Sequence, residues 1–195
     1  MQKKKEILLA ASNLFGEKGD RFTLEEVGNA VGIKKASIYS HFQNKEEIII
    51  LITAMKCRDY EEYMNHVFLL LEDEGDAEKS FKMIYDAITT YFNKNNNFKF
   101  FKHIELLPNP ALKEQCKSPY YRLNNRIKER VKGLWDRADD ERNNCPQKKH
   151  YLTEFFFNHI EGVLNISYFS IKGRKMAEAY QEIMWVYFRR AFLKE

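Results

Sequence analysis

Residues 23–42 read TLEEVGNAVGIKKASIYSHF, and this stretch decides the fold. Thr23 stands where a helix N-cap belongs. Glu26, three positions on, completes a capping box, in which each side chain satisfies an amide that the first turn leaves unpaired. The pair predicts a helix through about residue 31, ended by Gly32, and a short third helix over 35–42. Two short helices that cross steeply need a small residue where their backbones approach. They also need a residue tolerant of positive φ at the turn, and an apolar side chain to lock one helix on the other. Gly28, Gly32 and Ile38 meet those needs in that order, which predicts a helix-turn-helix.

The flanking sequence reads as helix on both sides. Ile7, Ala10, Ala11, Leu14 and Phe15 recur at helical spacing and predict a first amphipathic helix ending near residues 16–19. Asn44 is placed to cap a long fourth helix from Lys45 to about residue 72. The pattern breaks near Gly75. Phe81, Ile84, Tyr85, Ile88 and Phe92 restart it as a fifth helix, and residues 98–107 (FKFFKHIELL) predict a short sixth. Pro108 and Pro110 mark a turn, after which Pro119 is expected in the first turn of a helix running to about Trp135. Residues 150–171 and 174–193 are apolar around most of a helical circumference, which suggests burial on more than one side. Phe155, Phe156 and Phe157 fan across about 200° of a helix, so they cannot all face one core. With four Pro and eight Gly, and long stretches free of both, the expected class is all-α. The expected organisation is an N-terminal three-helix helix-turn-helix domain over 1–47, followed by a longer helical domain over 48–195.

The charge balance restricts the partners. A net charge of +4, from 32 basic and 28 acidic side chains, is too weak a field for a protein that coats nucleic acid nonspecifically. Residues 1–47 are nearly balanced, with eight basic against seven acidic. Within 34–45, however, Lys34, Lys35 and Lys45 stand without an acid, so any DNA binding is local. Lys3, Lys4 and Lys5 read either as a basic arm or as a solvated terminus. Cys57, Cys116 and Cys145 are odd in number and form no CxxC pair, which fits a reduced compartment. No apolar run approaches the ~20 residues that span a bilayer, and Ser12 and Asn13 interrupt the N-terminal one too early for a cleavable leader. The expected location is cytoplasmic. Walker, dinucleotide, HExxH and GxSxG patterns are all missing, so no catalytic residue is expected and the chain does not read as an enzyme. Cys145, His150 and His159 lack the tight spacing of a zinc site, and neither a metal nor a cofactor is expected.

The N-terminal motifs resemble those of the TetR family of bacterial transcriptional regulators. The matching pieces are ILLAASNLFGEKG (residues 7–19), Thr23, VGNAVGI (27–33), ASIYSHF (36–42) and Lys45, so the specific likeness covers about residues 5–50. Two positions depart from the pattern. Asp20 replaces an aromatic residue, for which Phe22 is the substitute, and Gly28 replaces the commoner alanine at a helix-propensity cost of ~1 kcal/mol. The resemblance implies that Thr23, Tyr39, His41 and Lys45 face phosphates, while Lys34, Lys35, Ala36, Ser37 and Ser40 lie nearest the base edges. Phosphate contacts fix position and base contacts fix sequence. Tyr39 is placed to serve either role.

A palindromic operator requires two linked recognition helices, so a homodimer is expected. The resemblance points to pairing through the last two helices, although their apolar content also suits a monomer core; Gly162 would permit close approach there. It further implies a small, largely apolar or aromatic effector that binds the C-terminal domain and moves the long fourth helix. Such an effector acts only through its differential affinity for the two conformations. Tyr63, Tyr85, His103 and His159 are the candidate ligand-binding residues, because each joins an aromatic body to a polar tip. Release from DNA by the effector is the expected response, and activation is the alternative.

Overall fold

A computed structural model describes residues 2–137, 146–169 and 174–193. Helices α1 (Gln2–Lys18), α2 (Leu24–Ala30), α3 (Lys35–Ile38) and α4 (Lys45–Leu70) come first. They are followed by α5 (Ala77–Asn93), α6 (Asn97–Glu105), α7 (Pro110–Lys132), α8 (Pro146–Phe169) and α9 (Arg174–Phe192). Short 3-10 turns cover Gly19–Arg21 and Gly133–Asp136. No strand occurs among the described residues, and none of their helices is long and apolar enough to cross a membrane. The architecture is therefore all-α.

The chain packs as two compact units, one formed by residues up to 61 with 94–123, the other by 62–93 with 124 onward. The units are divided by packing, whereas the sequence boundary at 47/48 separates proposed roles. Because α4 and α7 each supply residues to both units, the two divisions differ in kind.

In the first unit, α1 buries Ile7, Ala11 and Phe15, a four-residue repeat that keeps one stripe facing inward. Val27 of α2, Ile38 of α3, and Ile48, Ile49 and Ile52 of α4 are likewise essentially without exposure. Each such side chain contributes about 1.5–3 kcal/mol by leaving water. α6 lies against α1: Phe15 meets Phe100 edge to face at 4.9 Å, and the Gly16 backbone passes close to the Asn96 side chain. Asn95 and Asn96 take φ of 51° and 56° to turn the chain into α6, a conformation asparagine accepts more readily than most residues. Among the described residues Lys3, Lys4 and Lys5 belong to α1, so the free-arm reading is not what the structure has. Lys3 pairs with Glu6, and the Lys4 ammonium sits 4.9 Å from the Phe42 ring centre.

In the second unit, α5 presents Phe81, Ile84, Tyr85 and Ile88 inward. Phe81 packs on Trp135 at 4.2 Å and on Phe156 at 5.4 Å. The Trp135 indole N–H donates to Thr153 at 3.1 Å, so the largest buried side chain carries no unmet donor. α9 is tied to α5 by polar bonds as well: Tyr85 donates its hydroxyl to the Gln181 carbonyl at 2.9 Å, and the Gln181 amide donates to Thr89 at 2.6 Å. The three consecutive phenylalanines divide as their fan demands. Phe156 and Phe157 are buried, while Phe155 is 47% exposed.

Two helix boundaries differ from expectation. α7 starts at Pro110, nine residues before Pro119, which lies inside it. The reason is local: the Asn109 side chain accepts from the Ala111 and Leu112 amides at 3.0 and 3.3 Å, making Asn109 the cap and Pro110 the first helical residue. α3 is also shorter than residues 35–42. Its regular part ends at Ile38, and the His41 and Phe42 amides both donate to the Ile38 carbonyl, at 2.9 and 3.0 Å, to close the turn.

Candidate nucleic-acid interface

The turn between α2 and α3 is built as the glycine spacing predicts. Gly32 has φ of +71°, where a side chain would be strained, and the Ile33 amide donates back to the Gly28 carbonyl at 2.9 Å. At Gly28 a β-carbon would lie 2.6 Å from the Ile33 carbonyl oxygen. That contact is the close approach for which the spacing calls on a small residue, and it outweighs the helix-propensity cost of glycine relative to alanine. In this backbone Gly28 is required by close approach, and an alanine would have to move the turn.

The capping box is complete. Thr23 Oγ1 accepts from the Glu26 amide at 3.2 Å, and the Glu26 carboxylate accepts from the Thr23 amide at 2.8 Å. Hydrogen bonds, from Lys18 first and then from the Thr23 backbone, hold the Glu26 carboxyl below its ordinary range. The Thr23 hydroxyl is thus already committed to the helix end, though it remains exposed. Asn44 caps α4, accepting from the Glu47 amide at 2.8 Å.

Around the buried anchor Ile38, the residues Lys34, Lys35, Ala36, Ser37, Tyr39, Ser40 and His41 are all exposed. One apolar side chain therefore fixes α3, and every neighbour is left free to meet a partner. Ser40 donates to the Ser37 carbonyl at 2.7 Å, which orients its hydroxyl without burying it. Lys45 is different. Its ammonium lies 2.9 Å from the Asp20 carboxylate, donates also to the Asp20 carbonyl, and sits 4.7 Å from the Phe22 ring centre. Phe22 is buried and meets Phe15 edge to face at 6.2 Å, which is the aromatic contact expected of it. The Asp20 partnership was not visible in the sequence, where 25 positions separate the two residues; only the unusual acid at 20 hinted at it.

The four candidate ligand residues are divided between the two units. Tyr63, Tyr85 and His159 belong to the second unit, whereas His103 belongs to the first. There His103 packs 6.0 Å from the Phe15 ring and so close to Gly19 that a β-carbon would lie 2.7 Å from its Nδ1. Gly19 has φ of +61°, so both space and backbone call for glycine. In the second unit Tyr85 is fully buried and lies 6.0 Å from His159 and 5.4 Å from Trp185, while Tyr63 lies 5.4 Å from Tyr91. Burial pushes the Tyr63 and Tyr85 hydroxyls up, so both stay protonated donors.

His103 and His159 each carry a buried Nε2 without a hydrogen-bond partner among the described residues. Burial pushes both imidazoles down. The Arg21 and Lys99 charges add to this at His103, and a backbone hydrogen bond with Met184 opposes it at His159. A lowered folded value means the unfolded chain takes up the proton first as pH falls, so stability is full above the unfolded value of about 6.5 and declines below it. Denaturant midpoints are expected to fall between pH 7.5 and 5.5, and His103→Gln and His159→Gln should each flatten that dependence. A pH-independent midpoint over this range in the wild type would count against the assignment. Among the described residues no three His, Cys, Asp or Glu side chains converge on a possible metal position; Cys145 lies outside them.

An exposed α3 held on a glycine-turned scaffold, with only helices around it, defines a helix-turn-helix protein. The family model of the bacterial regulatory proteins of the tetR family matches residues 7–52, which span α1 to the first turns of α4. The likeness to that family is carried by this N-terminal stretch. Over 46 residues it is 52% identical to the biofilm operon icaADBC HTH-type negative transcriptional regulator IcaR of Staphylococcus epidermidis, covering 23% of this chain and 25% of that protein. The matched stretch thus spans about a quarter of this curated relative. The solved structures are alike over the whole length. A transcriptional regulator from Saccharomonospora viridis in complex with choline superposes with a TM-score of 0.78 at 14% identity, covering 100% of this chain and 98% of that one. AibR in complex with isovaleryl coenzyme A and operator DNA gives 0.68 at 16%, covering 93% and 95%. At these identities the likeness is one of fold.

Proposed function

We propose that this protein is a cytoplasmic, homodimeric transcriptional repressor that binds a palindromic operator and is released by a small, largely apolar or aromatic effector. The observation that carries the reading is the acid-free, exposed run around Ile38, in which every side chain but the anchor is presented outward. Lys34, Lys35, Ala36, Ser37 and Ser40 read base edges in the major groove. Thr23, Tyr39, His41 and Lys45 hold phosphates. The relative sharing 52% of the residues in this region is named a negative transcriptional regulator, which favours repression.

Two-fold pairing is supported by the outer faces of the last two helices. On α8 the exposed residues Tyr151, Phe155, Gly162 and Ile166 fall on one stripe, and on α9 Ile183, Val186 and Tyr187 do the same. A β-carbon at Gly162 would meet nothing within 4 Å, so the chain itself leaves that approach open for a partner helix. An effector among Tyr63, Tyr85 and His159 would meet aromatic faces together with the unpaired imidazole nitrogen. His103, packed on α1 in the first unit, is the fourth proposed contact.

The test is selection of bound duplexes from a random pool at fixed moderate salt, followed by sequencing. A palindromic motif is expected. Lys35→Ala or Ser37→Ala should change the preferred bases, whereas Tyr39→Phe should weaken binding to all sequences alike. No enrichment from protein shown to be folded and dimeric overturns the reading.

A further inference from the structure

We propose that Asp20 acts as a built-in competitor for the phosphate held by Lys45, setting a ceiling on affinity for DNA of any sequence. The inference rests on the DNA-binding reading above and concerns a residue to which that reading gives no role. Lys45 begins α4, next to the exposed run at 34–41, yet its charge is already satisfied. The Asp20 carboxylate is 2.9 Å away, the Asp20 carbonyl accepts a second bond, and the Phe22 ring face lies beneath at 4.7 Å. Neither partner is shut off from solvent, with 29% of the Lys45 side chain and 38% of the Asp20 side chain exposed, so a phosphate can reach the pair.

Two consequences follow from the charges. A phosphate that takes the ammonium must displace the carboxylate or accept it as a neighbour, and a like charge at that range opposes binding. The carbonyl bond and the ring contact do not oppose it, since neither is anionic. The second consequence concerns salt. A lysine that neutralises a phosphate normally releases a condensed cation, which steepens the fall of affinity with salt. If Lys45 leaves Asp20 to do so, the freed carboxylate attracts a cation from solution, and the two changes cancel. In the wild type, Lys45 therefore adds little to the salt slope even though it touches the backbone.

The experiment is a double-mutant cycle on the full-length dimer, measuring affinity for the selected operator and for a scrambled duplex across a salt series. Asp20→Asn keeps the backbone carbonyl and the ring and removes only the charge. It is expected to tighten binding to both duplexes by up to about five-fold at low salt, the size of an exposed ion pair, and to raise the slope by about one. Lys45→Ala should lower the slope by about one when combined with Asp20→Asn and by much less in the wild type. Asp20→Ser should repeat the result of Asp20→Asn, and thermal unfolding of each variant establishes that the fold persists. Weaker binding by both folded Asp20 variants, or unchanged slopes throughout the cycle, overturns the inference: Asp20 would then orient Lys45 for the phosphate. Wild-type protein that binds neither duplex overturns the DNA-binding reading and this inference with it, whereas wild-type binding with an inert Asp20 overturns this inference alone.

Discussion

Phe15→Ala is expected to destabilise the first unit by about 3–5 kcal/mol and to abolish DNA binding at temperatures where the wild type is folded. Phe15 has no exposed surface and joins three elements. Its ring meets Phe22 beyond the 3-10 turn, Phe100 of α6 at 4.9 Å, and His103 at 6.0 Å. Truncation removes the transfer energy of the ring and leaves a cavity that cannot collapse easily. The reason is that the surrounding backbone is set by close approaches at Gly16 and Gly19. The loss also reaches α3 indirectly, because Phe22 carries Lys45 on its face and α1 supports α2. Urea unfolding followed by circular dichroism measures the cost, and the same samples report operator binding. A loss below about 1 kcal/mol would mean the ring is not the joint that its contacts suggest.

Residues close in sequence were legible, and those brought together by folding were not. The Thr23–Glu26 box, the positive φ at Gly32 and the Asn44 cap are set by spacings of a few residues, and all appear as read. The same local logic misplaced the start of α7. Asn109-Pro110 and Ser118-Pro119 each look like a cap followed by a first-turn proline, and only the observed bonds to Asn109 decide between them. Gly28 illustrates a different limit. The spacing points to a close approach there, but its partner, the carbonyl of Ile33, is visible only in the structure. His103 and Lys45 likewise have neighbours that local spacing does not reveal. Their partners, Gly19 and Asp20, are distant in the chain.

The faces of α8 and α9 lead to the second large effect. Ile183→Glu is expected to turn the protein into a monomer and to lower operator affinity by about a hundredfold or more. The size follows from linkage: when two recognition helices share one molecule, the second half-site is filled intramolecularly, and separated subunits lose that advantage. Ile183 is 53% exposed on α9, on the same side as Val186 and Tyr187. Burying a glutamate there against a second copy, with no cation provided, costs far more than a surface pair returns. Leu106→Glu is the matched control, since Leu106 is 74% exposed at the end of α6 in the first unit and lies on neither α8 nor α9. Sedimentation and operator titration should separate the two substitutions, with Leu106→Glu remaining dimeric and binding as the wild type does. If Ile183→Glu sediments as the wild-type dimer, the exposed stripe is not the pairing surface. If it becomes monomeric yet binds the operator as tightly as before, operator recognition does not depend on two linked half-sites, and the two-fold argument for this protein fails.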